Sequence, residues 1–311
     1  IFLVSASGLS VAAIPGMFGA DLNASYYTIE QPYTLMYTTA SQASYIIETA
    51  PSVDFSGNEE MRNAYMGEAY FWRAFAHYYL LINFRNISPI RQMPRNGDDY
   101  VRPLEKPAAV WDFIQEDLAH AKELLPVKGY WDSKNAGRVT KASAAALLGK
   151  AYLYRSGIEQ YYGEDKTTFY SEAAKEFGDV IDGKYGTYDL TKNYADNFDV
   201  AHENNEESIL EFQFLGDVDN AGFNPGLATS GLAFDSRGLM LPGAGVGYEG
   251  VVHNWLYNAF VNSIDKDGYT DIRMFSTMIF NDLDASIHLR NDAGGNPVRL
   301  EGPGGYKWEE L

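Results

Sequence analysis

Between Met61 and Ile82 the residues Met61, Tyr65, Glu68, Trp72, Phe75, Tyr79 and Ile82 recur at spacings of four and three. That period places them on one stripe of a helix, with Glu68 its charged member. Ala64, Phe71 and Tyr78 widen the stripe, and Pro89 lies beyond the helix end. A second helix opens at Pro107, where the missing N–H costs nothing, carries Val110, Ile114, Leu118, Ala121 and Leu125, and stops at Pro126. A third runs from an N-cap at Thr140 to Ser156, with Gly157 as its stop. Its Ala142, Ala145, Ala146 and Gly149 are small enough to admit a close neighbour. A fourth carries Tyr170, Ala173, Ala174, Phe177, Val180 and Ile181 and ends at Asp182-Gly183. Before all of these, the breaker-poor stretch from Tyr33 to Thr49 reads as a helix with Tyr37, Ala40, Ser44 and Ile47 on one side.

Past Tyr185 the pattern changes. Leu210, Phe212 and Phe214 alternate with Glu211 and Gln213, which predicts one half-buried strand. Nine glycines fall within Gly216–Gly250, a loop region of a length that is usually functional. A last helix is expected over about Val251–Ile264, and Gly294–Gly305 is glycine-rich again. Paired helices with small residues at crossing points predict a mostly α fold. Its expected architecture is a tetratricopeptide-like helical-hairpin scaffold over about 33–185, followed by a loop-rich irregular part with few short strands over about 186–311.

Charge narrows the partners. Lys and Arg number 24 against 42 Asp and Glu, a net −18. Such a surface repels the phosphates of nucleic acid and of anionic lipid. Cysteine is absent, which removes thiol catalysis, disulfides and thiolate zinc sites from this sequence. The first residue is Ile1, so any start methionine, signal peptide or lipid-bearing cysteine is expected outside it. Aromatic residues stand out: 23 Tyr, 17 Phe and 5 Trp. Tyr and Trp join a flat apolar face to a polar handle, which suits cores and also platforms for sugars and peptides.

Several motifs fail on context. Gly245, Gly247 and Gly250 spell a dinucleotide-binding pattern, but only Leu239-Met240-Leu241 and Pro242 precede it, where a strand is required. Gly178 to Lys184 has P-loop spacing, yet Tyr185 stands where Ser or Thr must reach the metal, so it reads as a helix stop. Asp217, Asp219 and Gly222 begin like a calcium loop, but Ala221 and Ala228 occupy two ligand positions. The histidines His77, His120, His202, His253 and His288 share no i, i+4 pair. No two carboxylates are singled out as a catalytic pair. Glu68, on an apolar stripe, is expected to accept bonds from a neighbouring helix or an arginine. Neither a catalytic residue, nor a metal site, nor a cofactor is expected.

Three segments together resemble a known family. Gly67 to Leu80 is similar to the helix that reads roughly E-A-x-F-x-R-A-x-x-Y-x-x-L in the SusD/RagB family of Bacteroidetes outer-membrane nutrient-binding lipoproteins. There it runs into a Tyr/Phe-Gly-x-x-Pro turn, and here Phe84-Arg-Asn-Ile-Ser-Pro89 takes that place without the glycine. Gly137 to Tyr154 resembles the family's G-R-x-T-K-x-A-A-x-A-L-L-A-K-x-Y-L, and Asn204 to Phe214 its N-x-E-x-I-x-E-I-x-F. Asp271 to Met274 resembles its D-x-R segment. The matches in order cover about Tyr33 to Phe214, and family members are considerably longer.

The resemblance implies one SusD-like domain over 1–311, incomplete at both ends. It implies a non-catalytic protein at the cell surface, lipid-anchored to the outer membrane outside this sequence, that passes captured oligosaccharide to a TonB-dependent transporter. Family ligand contacts lie in loops before the first strong helix and after the strand. The residues there that suit a sugar are Tyr26, Tyr27, Tyr33, Asp217, Asn220, Phe223, Asn224, Phe234 and Tyr248, the aromatic rings for C–H faces and the polar groups for hydroxyls. A peptide-binding member of the same family is the alternative, and a glycoside hydrolase on a helical scaffold the more distant one.

Overall fold

The structure is a computed structural model that describes residues 27–163, 168–198, 200–213 and 254–277. Two compact units are present: Asn23–Leu190 with Glu206–Phe212, and Thr191–Asn205 with the segments outside the first unit.

Among its described residues the first unit holds five α-helices: α1 Tyr27–Thr49, α2 Glu59–Phe84, α3 Pro107–Leu124, α4 Lys141–Tyr162 and α5 Tyr170–Ile181. Residue pairs fix their directions. As numbers rise along α2 from Tyr70 through Arg73 and His77 to Tyr78, partners on α3 fall from His120 through Asp117 and Phe113 to Trp111. Ser44 and Tyr33 meet Arg73 and Phe84, Asp112 meets Arg155, and Gly149 and Tyr152 meet Phe177 and Phe169. Consecutive helices are therefore antiparallel, each packed mainly on its neighbours in sequence. This is the expected stack of helical hairpins.

Local chemistry explains the boundaries. Asn58 caps α2, its side chain accepting from the Met61 amide at 3.0 Å. Pro107 does open α3, and Leu125 follows its last residue ahead of Pro126. Thr140 does cap α4, in a reciprocal box with Ser143. Two boundaries differ from the sequence reading. The first helix begins at Tyr27 and runs through Pro32, whose fixed φ is helical and which forgoes one bond near the start. The third predicted helix, α4, does not stop at Gly157. It continues to Tyr162 and ends on Gly163 in the left-handed conformation. The added turn carries Glu159, completely buried in a polar pocket, which outweighs the cost of about 1 kcal/mol for a mid-helix glycine.

The core runs between the helices through Phe71, Tyr78, Leu81, Trp111, Ile114, Leu118 and Leu148. The two sides of the α2 stripe differ: Ala64, Phe71 and Tyr78, which widen it, are buried. Trp72, Phe75 and Ile82 are half-buried and Tyr79 is exposed, because Ala64, Gly67, Ala74 and Tyr78 take the close side against α3. Glycine at 67 lets the helices touch: a Cβ there would lie 2.9 Å from Leu125 Cγ and 3.0 Å from the Leu125 backbone nitrogen. Gly67→Ala should accordingly lower stability by about 1–2 kcal/mol, since overpacking against backbone exceeds the propensity gain. A urea midpoint equal to or above that of the parent would contradict this.

Residues 210–213 form no strand. Leu210 packs on the main core, Ile209 on the cluster around Val180 and Tyr185, and the Phe212 ring lies 5.9 Å from Trp72 and 6.0 Å from Phe75. Ser143 donates to the Ile209 carbonyl at 2.9 Å. The alternation is real, but its apolar members meet helices rather than a sheet. Phe214 lies outside the described residues.

In the second unit, helix α6 spans Asn254–Asn262 and a short α7 spans Met274–Thr277. The expected start of the last helix at Val251 lies outside the described residues. A turn on Asp265, whose carboxylate accepts from the Asp267 and Tyr269 amides, leads to a bridge between Ile264 and Thr270. The D-x-R segment is a local clasp: Asp271 accepts from the Arg273 amide at 3.0 Å and from its guanidinium, ahead of buried Met274. No described helix is long and apolar enough to cross a membrane.

Candidate functional site

Most of the residues expected to contact ligand, Tyr26, Asp217, Asn220, Phe223, Asn224, Phe234 and Tyr248, lie outside the described residues, as do the Gly245–Gly250 pattern and the calcium-like segment. Tyr27 begins α1, and its side chain is likewise outside them. Tyr33 is described. Its ring packs 4.7 Å from Tyr37 and edge-on to Phe84 at 5.0 Å, and it remains 41% exposed. The neighbours fix the ring, so its open surface can take an apolar C–H face without ordering first. Tyr37 receives the Ser88 amide on its hydroxyl at 3.1 Å, and burial pushes the phenol up to about 12. It ties α1 to the loop after α2.

The motif residues form the scaffold behind that loop. Arg73 makes a fork to Asp117, Nε to Oδ2 at 2.7 Å and Nη2 to Oδ1 at 2.8 Å. Its remaining Nη1 donates to the Arg91 carbonyl at 2.9 Å and to Ser44 at 3.3 Å. One turn on, completely buried His77 accepts the Ile90 amide on Nε2 at 2.9 Å, and its Nδ1–H donates to the Arg73 carbonyl at 2.7 Å. This pattern requires a neutral imidazole. Burial, together with the charges of Arg73 and Arg91, depresses its pKa to about 4. Two α2 side chains thus pin residues 90 and 91 of the loop.

Glu68 has the arginine partner that its place on an apolar stripe demands. Arg138, from the second motif, donates Nε to Glu68 at 2.9 Å and makes a further contact through Nη2. The guanidinium lies over Tyr65 and Trp131, 4.7 and 4.4 Å from their ring centres. The first two motifs are therefore bonded to each other, and their charged residues hold helices rather than ligand.

Arg85, just past the end of α2, adopts φ 63° and ψ −80°. A side chain there costs about 1–3 kcal/mol and persists only when other contacts hold it. Those contacts are present: Nη1 and Nη2 meet the two oxygens of Glu159 at 3.0 and 3.1 Å, and the guanidinium sits 3.9 Å from the Tyr162 ring centre. Trp111 Nε1–H also donates to Glu159, at 2.9 Å.

The remaining motifs give no ligand chemistry. Gly183 takes φ 74° after α5, and Lys184 pairs with Asp179 at 2.9 Å, so this segment does end a helix. His120 is exposed beside Glu116, His202 lies 3.9 Å from Asp196, and His253 and His288 are outside the described residues. Among the described residues no group of three His, Asp or Glu could hold a metal. Sequence reasoning passed over the Arg73–Asp117 fork and the Glu159 pocket. The missing glycine in the segment Phe84 to Pro89 was the available signal for the latter.

The antiparallel stack, with its motif charges paired internally, defines a helical-hairpin scaffold protein. Residues 17–153 match the SusD-like family model, described as starch-binding and associating with the outer membrane. A SusD-like protein of Bacteroides ovatus is 29% identical over 180 residues, 58% of this chain and 32% of that protein. A laminarin-binding SusD-like protein superposes with a TM-score of 0.53 at 27% identity, over 64% of this chain and 40% of its own. A structure with xylogluco-oligosaccharide superposes at 0.54 and 26% identity, over 66% and 39%. The chain is similar to SusD-like proteins, as its motifs imply, and it spans about a third of the curated relative's length.

Proposed function

We propose that this chain is a non-catalytic nutrient-binding protein that captures oligosaccharide at the cell surface and passes it to a TonB-dependent transporter. The single observation behind this is the match of residues 17–153 to an outer-membrane starch-binding family, extended by similarity to proteins that bind laminarin and xylogluco-oligosaccharide. In this reading the whole sequence is one SusD-like domain, with the helical stack as a rigid bed. A lipid anchor outside the sequence holds it to the outer membrane. Tyr26, Tyr27 and Tyr33, with Asp217, Asn220, Phe223, Asn224, Phe234 and Tyr248, supply the contacts. A sugar ring has apolar C–H faces and a hydroxyl rim, so aromatic rings bind the faces while carboxylates and amides orient the rim. The carboxylates Glu68 and Asp117 are already bonded to arginines, which suits a binding role better than acid–base work.

Titration calorimetry against laminarin and xylogluco-oligosaccharides should show saturable binding, with the bound glycan recovered uncleaved. Silence across a broad glycan panel would sink the proposal. A peptide identified by mass spectrometry as the co-purified ligand would move the protein to the peptide-binding alternative.

A further inference from the structure

The last turn of α4, which the sequence reading ended too early, builds a cleft against the end of α2 and the start of α3. Its volume is about 450 Å³, within the roughly 300–1,000 Å³ of small-molecule sites. Tyr154, Tyr161 and Tyr162 line it, together with Arg85, Trp111 and Glu159. Tyr161 is 84% exposed and Tyr162 56%, unusual for neighbouring aromatic residues on a helix whose other side is core. Tyr162 is held by the guanidinium over its ring, and Tyr161 stands edge-on to it at 5.1 Å. At the base, Glu159 is fixed by three donors, two from Arg85 and one from Trp111.

We propose that this cleft is a saccharide subsite on the helical scaffold. The rings present two faces at a fixed angle, which suits a pyranose ring resting on one and edged by the other. The backbone argues in the same direction. Arginine occupies a left-handed position where glycine fits without strain, and what it gains there is the pair that shapes the cleft. Elsewhere in the stack, Arg73 and Arg138 make comparable pairs from unstrained backbone. The ligand class rests on the function proposed above, while the location rests on the cleft alone.

The test uses the full chain and two probes, a laminari-oligosaccharide and a xylogluco-oligosaccharide. Tyr161→Ala removes an exposed ring that supports no core, so it leaves the melting temperature within a degree or two of the parent. The subsite predicts that Tyr161→Ala and Tyr162→Ala each weaken binding of at least one probe by about tenfold or lower the measured stoichiometry. Tyr162→Phe should retain it, since the ring face is kept. Parent-like affinity and stoichiometry in both alanine variants, with glycan still bound, overturns the subsite and leaves the general function standing. No binding by the parent protein overturns both.

Discussion

Asp117→Ala is expected to destabilise the helical unit by about 3–5 kcal/mol, the cost of leaving a buried guanidinium without its carboxylate. Arg73 and Asp117 are both almost fully buried, their fork is bidentate, and the other acceptors on Arg73 among the described residues are Ser44 and the Arg91 carbonyl. For a unit of this size the loss corresponds to a melting temperature lower by roughly 6–20 °C. Two variants separate charge from volume. Asp117→Asn keeps the shape and one acceptor and should lose less. The double replacement Arg73→Met with Asp117→Leu removes both charges and should recover much of the loss, because paired burial itself costs desolvation. Thermal unfolding followed by circular dichroism checks all three. A loss under about 1 kcal/mol for Asp117→Ala would mean that water reaches the guanidinium.

Acid should act through His77. Its folded pKa, about 4, lies below the ordinary value near 6.5. Between those pH values the unfolded chain binds a proton that the folded one refuses, so stability falls as pH drops from above 6.5 toward 4. Across that window the loss amounts to about 3 kcal/mol, at 1.36 kcal/mol for each pKa unit. Urea midpoints measured at pH 7 and pH 4.5 should differ accordingly. In His77→Gln, which cannot titrate there, the difference should shrink by most of that amount. An undiminished difference in the variant would assign the acid sensitivity to other groups.

How far the sequence could be read depends on the kind of signal. The helices rest on period, caps and breakers, which are local, and Pro107, Thr140, the apolar row of α3 and the end of α5 were read in place, whereas Tyr170, Ala174 and Ile181 of the α5 row are exposed. Burial is not local. The α2 stripe carries the largest rings, yet small residues one step around the helix take the closest contact, because Gly67 and Ala64 let α3 approach. Gly157 misled because a glycine signals a stop only where the backbone turns left-handed, and here the long-range pull of Arg85 and Trp111 on Glu159 keeps the helix going. Alternation over 210–213 promised a strand because period two reports two-sidedness, whatever the partner. Of the expected ligand contacts, only Tyr33 can be given a setting, and its neighbours Tyr37 and Phe84 come from separate helices.

The pairing of each helix with its chain neighbours has a consequence for how the unit comes apart. Among the described elements the innermost helices α2, α3 and α4 are clamped on two sides, whereas α1 and α5 each lean on a single main neighbour. Amide protons should therefore escape first from the outer helices and last from the α2–α3 hairpin, so that this hairpin is the anchor from which the array can rebuild itself.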